Sequence, residues 1–381
     1  MTSSRFAVPA LALSLVLTAT GAFCVAEPTS AAAASDPIGG RQLAAQGVIV
    51  NLARGVPPPP AMPAASFLLA DLGTGKILVA RTPHARHLPA STLKTLTALT
   101  LIPLLDPNRK IMARPQDVRV QGTHVGIVSG TAYTVDTLLQ GMLITSGNDA
   151  AYALARGNDS LAVTLAQMNV TAAGLNAMDT VAKDPSGLDK AGQSSSAYDL
   201  ALIGRAAMKL PSFRRYVSTK RTTLAGGTTA AGARKAGMKI ANHNKLLFNY
   251  PGAIGIKNGY TVAAKFTYVE AATRGGKTYL LTEMASTQAS WRPAAAMLDW
   301  AFAHGASLAP IGELVAPGKA VEPKPAPVPV AARTQSQVQA KASASFPLQP
   351  ALPFWVGMAA VVGLLALGRA GSRRRAARRR R

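Results

Sequence analysis

The chain has 381 residues, 48% of them hydrophobic and 15% charged, enough for a sizeable core in one large or two small domains and unlike a disordered chain. Its one cysteine, Cys24, and its five histidines, which form no H-x-x-x-H pair around an acid, point away from disulfide, thiol and metal chemistry, and no metal or organic cofactor is expected. The net charge of +24 suggests nucleic acid at first sight, but eight arginines lie between Arg369 and Arg381 and the rest of the charge is spread without blocks or aromatic stripes, so no nucleic-acid partner is expected and anionic envelope polymers fit better.

In chain order, residues 1–34 read as a secretory signal. Arg5 is the charged start, Phe6 to Val25 the apolar stretch, and Ala31 to Ala34 offers small residues for cleavage. Phe23 before Cys24 argues against lipidation. Residues 35–62, ending in Pro57-Pro58-Pro59-Pro60, read as an Ala/Gly/Pro-rich lead-in or linker. Ser66–Asp71 and Lys76–Ala80 flank Gly73-Thr74-Gly75, a hairpin signal. Pro89-Ala90-Ser91 opens a helical stretch with Leu93, Leu96, Leu99 and Leu101 in apolar spacing. From Val135 to Leu154 the spacing is again helical, broken at Ser146-Gly147-Asn148, and short helices continue to about Leu210. The pattern then turns to strands at Ile254–Gly259, Phe266–Ala272 and Thr278–Met284, with Gly275-Gly276 as a turn, and Pro293 to Ala303 forms a closing helix with Gly305 just past its end. A sheet drawn from both chain ends with helices inserted between them is an α+β arrangement, with one folded domain expected over residues 63–305.

Residues 306–350 are Pro- and Ala-rich, and the stretch from Pro317 to Pro350 spans up to about 100 Å if extended at ~3.1 Å per residue. Residues 351–368 hold an uncharged apolar run, Leu352 to Leu367, which reads as one transmembrane helix when counted from Phe346. The arginine-rich residues 369–381 place the tail inside and the domain outside, so the protein is expected to be exported and held at the membrane by a single pass. Leu352-Pro353-Phe354-Trp355 lacks the Thr-Gly of a sortase signal.

Three motifs carry the chemistry: Ser91-Thr92-Leu93-Lys94, Ser146-Gly147-Asn148 and Lys257-Asn258-Gly259. Serine is a poor nucleophile until a base takes its proton, and positions i and i+3 of a helix share a face, so Ser91 and Lys94 point the same way. Lysine works as a base only when neutral, which needs burial or a nearby positive charge such as Lys257. Gly259 lets backbone or ligand approach closely. A lone S-x-x-K is weak, but the ordered set marks penicillin-interacting serine enzymes, which make and break an acyl-serine bond.

Over roughly residues 60–305 the chain resembles the D-alanyl-D-alanine carboxypeptidases, low-molecular-mass penicillin-binding proteins. The likeness extends to Asp184-Pro185-Ser186-Gly187-Leu188-Asp189, similar to the family's "PxGLD" turn, to Ser195-Ser196-Ala197-Tyr198-Asp199-Leu200, similar to its "TAxDLA" helix start, and to Asn242-His243-Asn244-Lys245-Leu246-Leu247, similar to its "NxNxLL" segment. The resemblance implies an antiparallel sheet flanked by helices with an all-helical insertion, a peptidoglycan stem peptide as substrate and β-lactams as inhibitors. It also implies roles: Ser91 is acylated, Lys94 is its base, Ser146 passes a proton to the leaving D-alanine and Asn148 holds the substrate amide. Lys257 supports the proton network and the substrate carboxylate, and the backbone N–H groups of Ser91 and Tyr260 form the oxyanion hole. Asn258 departs from the family's usual threonine, whose hydroxyl binds the terminal carboxylate, although an amide N–H still donates to a carboxylate. Lys265, where the family often has glycine, is a second departure.

Three rival readings fit the residues less well. A class A β-lactamase deacylates through a glutamate between the second and third motifs, and this chain has none from Pro28 to Val269. A histidine triad built on His84, His87 or His243 duplicates a base that Lys94 already supplies. A catalytically silent wall-binding scaffold is hinted at only by Asn258. Asp149, Asp189 and Asp199 read as cap or turn residues, and Met297 and Trp300 as core.

Overall fold

A computed structural model describes residues 36–318. Its chain runs through strands β1 (Val48–Val50), β2 (Ser66–Asp71) and β3 (Lys76–Arg81), then helix α1 (Lys94–Leu101), β4 (Lys110–Met112), α2 (Pro115–Val118) and β5 (Thr131–Thr134). Helices α3 (Val135–Ile144), α4 (Asn148–Asn158), α5 (Leu161–Gly174), α6 (Ala197–Ala207) and α7 (Pro211–Ser218) follow. The remainder is β6 (Arg221–Leu224), β7 (Thr228–Thr229), β8 (Met238–Ala241), α8 (Leu246–Asn249), β9 (Ala253–Thr261), β10 (Lys265–Arg274), β11 (Lys277–Ser286), α9 (Arg292–His304) and β12 (Gly312–Glu313).

Strand β2 shows why the sheet sits where it does. Successive side chains point to opposite faces. Leu68 and Ala70 enter the core on the side of the inserted helices, while Phe67 and Leu69 enter a second core under α9. With both faces covered, the strand is an unbroken apolar run between Ser66 and Asp71. The main sheet is antiparallel, in the order β1-β3-β2-β11-β10-β9, with β12 also on β3. N-terminal strands therefore meet C-terminal strands at β2 and β11, and α1 to α7 form the insertion, as the α+β expectation required. Strand β9 has a partner only in β10, so its other edge is open beside the inserted helices.

The large core holds Leu93 and Leu96 of the first-motif segment, Leu138 and Met142 of α3, Leu154 of α4 and Ile203 of α6. Each such side chain contributes roughly 1.5–3 kcal/mol on burial, so the elements bearing the motifs are held by packing and not by local propensity alone. The second core closes with Met297, Leu298 and Trp300, as expected of that helix. The Trp300 indole N–H donates to the Pro57 carbonyl at 2.9 Å.

That contact belongs to a difference from the sequence reading. The lead-in over residues 35–62 supplies β1, with Leu43 and Ile49 in the main core and Met62 in the second. Beyond residue 305, β12 adds to β3. The insertion is not all-helical as the resemblance implied: it carries the small sheets β4-β5-β7 and β6-β8, which were missed because strands of two to four residues with mixed exposure carry too little periodicity. No helix among the described residues is long and apolar enough to cross a membrane. The expected signal, the anchor at 351–368 and the tail at 369–381 all lie outside the described residues.

Strands β10 and β11 also bury Glu270 and Glu283, each 2% exposed, with no ion pair to either among the described residues. Burial, and then the neighbouring Glu283, push Glu270 well above the usual carboxyl range, while burial lifts Glu283 to about 8. The folded state thus holds protons that the unfolded chain releases, so stability present in acid is lost as pH rises through about 8. Asp199, raised to about 7 by burial, adds in the same sense. These carboxyls pull the thermal midpoint down as pH rises from about 5 to about 8, against the buried Lys94 and Lys257 amines, whose lowered pKa values act in the opposite sense at higher pH, and Glu283→Gln is expected to remove the Glu283 share of that slope. Equal slopes in the two proteins would show that the pair does not carry this linkage.

Candidate active site

Ala90 to Leu93 form a 3-10 turn, and α1 begins only at Lys94. The expectation put Ser91 on the first turn of a regular helix, and the tighter turn serves the chemistry better. In a 3-10 turn, residues i and i+3 eclipse. The Lys94 Nζ lies 2.9 Å from the Ser91 Oγ. Ala90 has a φ of 47°, a left-handed value that its surroundings impose. The Pro89 carbonyl accepts from the Thr92 hydroxyl at 2.6 Å and from Thr267 on β10 at 2.9 Å. The Gly187 backbone closes over the Ala90 carbonyl so tightly that a Cβ there would sit 1.8 Å from its oxygen.

Lys94 is fully buried. Besides Ser91 it meets the Asn148 Oδ1 and the Ser186 carbonyl, both at 2.7 Å. These two oxygens only accept. A neutral amine has two N–H donors and one lone pair, so satisfying both carbonyls turns the lone pair toward Ser91. Burial, followed by the charge of Lys257, holds the Lys94 pKa well below the usual lysine value, while Asp184 and Asp149 act in the opposite direction. Lys257 is 1% exposed, its own pKa is lowered by burial to about 7, and its Nζ donates to the Asn258 carbonyl at 2.8 Å.

The second motif lies on the join between α3 and α4. Ser146 has a φ of 64°, a strained value for a side-chain-bearing residue, and Asn148 begins α4. The Asn148 amide also donates to the Gln121 carbonyl at 2.7 Å, so both ends of the side chain are engaged. Asp149 accepts the backbone N–H groups of Val125, Gly126 and Ile127, at 2.9, 2.8 and 3.1 Å, which makes it a loop anchor. Asp199 accepts from the Asp179 N–H and the Thr180 hydroxyl, and Asp189 from the Thr261 hydroxyl, so these two tie separate segments together.

The turn after α5 supplies what the motifs alone did not reveal. Asp184 Oδ1 accepts from the Ser186 N–H at 2.7 Å, the Ser186 hydroxyl at 2.6 Å and the Leu188 N–H at 3.2 Å, while Tyr152 donates to its other oxygen. This fixes the Ser186 carbonyl against Lys94. The "PxGLD"-like segment marked the turn, but a backbone acceptor has no side-chain signature.

On β9, Gly259 backs onto the nucleophile: a Cβ there would lie 2.5 Å from the Ser91 nitrogen. Asn258 and Tyr260, on alternate positions of the strand, line a cavity of about 150 Å³ with His243, Lys245, Phe266, Tyr268, Glu270 and Trp291. Tyr260 is 54% exposed. The structure therefore gathers Ser91, Lys94 and Asn148 by direct contact, brings Lys257 within electrostatic reach, and sets Gly259 against Ser91. His84 lies 3.0 Å from Asp179 and stacks on Tyr198, and His87 pairs its backbone with Ser195, so neither addresses Ser91. Among the described residues no three His, Cys, Asp or Glu side chains converge as metal ligands would.

An antiparallel sheet with an inserted helical half, and a serine–lysine pair at their junction, define a serine hydrolase of the penicillin-binding DD-peptidase fold. Residues 54–286 match the family described as D-alanyl-D-alanine carboxypeptidase, and the chain belongs to that family. It is 40% identical over 253 residues to D-alanyl-D-alanine carboxypeptidase DacB2 of Mycobacterium tuberculosis, covering 65% of this chain and 84% of that one. A crystal structure of a D-alanyl-D-alanine carboxypeptidase from the same organism superposes with a TM-score of 0.65 at 38% identity, covering 70% of this chain and 99% of the other. A Streptomyces DD-transpeptidase gives a TM-score of 0.62 at 32% identity over 65% of this chain and 100% of its own.

Proposed function

We propose that the chain removes the terminal D-alanine from peptidoglycan stem pentapeptides through an acyl-Ser91 intermediate. The observation that carries this reading is the neutral-amine geometry at Lys94, with two carbonyl acceptors and Ser91 as its three neighbours. Ser91 Oγ attacks the carbonyl of the penultimate D-alanine as its proton passes to Lys94. The N–H groups of Ser91 and Tyr260 hold the oxyanion, and Gly259 leaves room for the carbonyl between them. Ser146 relays a proton to the departing D-alanine nitrogen, with Lys257 supporting the relay. The C–N bond breaks, and water then cleaves the ester and returns the proton to Ser91. Asn148 orients Lys94 through its oxygen and keeps one N–H for the substrate amide. Lys257 and Asn258 face the substrate carboxylate. β-Lactams acylate the same serine.

The same reading places this domain outside the cell membrane, exported by residues 1–34 and tethered by residues 351–368 through the Pro/Ala-rich spacer, with the arginine-rich tail inside. D-Alanine release from a pentapeptide, measured beside cleavage of a cross-linked dimer, tests the activity: release from the first is required, and the ratio separates carboxypeptidase from endopeptidase action. Truncation before Phe346 is expected to move the enzyme from the membrane to the soluble fraction with its kcat/KM unchanged. Continued membrane residence of the truncated protein would contradict the single anchor.

A further inference from the structure

Twelve lysines and arginines lie between Asp199 and Glu270, and no acidic residue does. The fold gathers five of them on one arm. Strands β6 and β8 pair with Arg221 opposite Ala241 and Thr223 opposite Lys239. Alternation sends Leu224 and Ile240 into the main core and leaves Arg221, Thr223, Lys239 and Ala241 on the opposite, exposed face. That face borders an open concavity of about 440 Å³. Lys220 precedes β6, and Arg234 and Lys235 lie on the connection to β8. All five cations are exposed, and none of them joins an ion pair among the described residues. The Arg221 guanidinium lies 4.9 Å from the centre of the Phe248 ring, which holds the flexible side chain in place.

The arm is continuous with the candidate active site. At its base, Asn242 follows β8 and donates to the Val217 and Thr219 carbonyls, at 3.1 Å each, and the His243 N–H donates to the Ile144 carbonyl, two residues before Ser146. Farther out, Leu224, Gly226 and Lys235 line a cavity with Gly126 and Ile127, the loop that Asp149 anchors behind the second motif. A row of fixed cations without counter-charges attracts a polyanion. An uncross-linked peptidoglycan strand is one, since each pentapeptide stem ends in a free carboxylate, and it is the polymer that the proposed reaction brings to this cleft. Resting on the proposed D-alanine release, we propose that the β6–β8 arm docks the substrate polymer outside the catalytic cleft, its cations holding neighbouring stems while one stem reaches Ser91. The arm thereby distinguishes a strand with many stems from a free peptide.

The test is the ratio of kcat/KM per stem on soluble, uncross-linked glycan strands bearing pentapeptide stems to that on the free pentapeptide, measured from about 0.01 M to about 0.5 M salt. The wild type is expected to favour the strand about tenfold at low salt, the lower end of electrostatic steering, and to lose the preference at high salt. Joint substitution of Arg221→Gln, Lys235→Gln and Lys239→Gln is expected to leave kcat/KM on the free pentapeptide unchanged and to bring the strand down to the same value. The wild-type salt series needs no variant, so it decides even if the triple variant fails to fold. A wild type without strand preference at any salt, or a triple variant that keeps the preference, overturns the assignment. Binding to phosphatidylglycerol vesicles that the triple variant loses, in the absence of any strand preference, would give the arm to a lipid surface and overturn it equally. Absence of D-alanine release from both substrates would instead strike the reading on which this one rests.

Discussion

Replacing Ser91 with alanine is expected to lower D-alanine release from a pentapeptide by at least about 10⁴-fold, the loss typical of deleting an acylated nucleophile. The Lys94 amine, held by the Asn148 amide oxygen and the Ser186 carbonyl, is aimed at the Oγ of Ser91. Removing one hydroxyl from a turn held by Thr92, Thr267 and Gly187 leaves the packing intact, so the thermal midpoint should stay near that of the wild type. A substantial residual rate in a folded Ser91→Ala protein would remove Ser91 from the reaction.

The second large effect concerns Lys94. Lys94→Ala and Lys94→Arg are both expected to lose about 10³-fold or more in acylation, within the range assigned to a positioned general base. Arginine is the informative substitution because it keeps the positive charge and cannot give up its proton. If Lys94 served only as a cation, Lys94→Arg would keep much of its rate. If it serves as a base, the two variants fall together. The wild-type pH dependence follows the same logic. Burial and Lys257 lower the Lys94 pKa, so the amine is neutral above that value and the lone pair is lost as pH falls through it. Acylation should decline on the acid side, and Lys257→Ala should shift that limb upward, since it removes the neighbouring charge. Acylation that stays constant as Lys94 protonates would contradict the base role.

How much of this was readable from residue order varies by element. The hairpin of β2 and β3, the strands β9 to β11 and the closing helix α9 were legible because each covers its face with a periodic apolar pattern six or more residues long. The break between α3 and α4 was legible from Ser146-Gly147-Asn148. Strands β4 to β8 were not, since each is held by its neighbours across the chain and not by a pattern of its own. Within the site, Ser91, Lys94, Asn148, Lys257 and Gly259 followed from motif order. The Ser186 carbonyl, which directs the Lys94 lone pair, did not, because backbone direction is set by the distant Asp184 and Tyr152 side chains. The 3-10 form of the nucleophile turn was equally hidden, being imposed by Thr267 from a strand far along the chain. Asn258 was legible as a departure from threonine, while the cavity it lines with His243 and Glu270 arises only when β9, β10 and the Asn242–Asn244 turn meet.

The most direct test is peptide mapping by mass spectrometry of the protein trapped with benzylpenicillin. A covalent adduct on the peptide containing Ser91, absent from Lys94→Arg under the same brief exposure, is the predicted result. An unlabelled wild-type protein, or an adduct on any other residue, would contradict a lysine-activated Ser91.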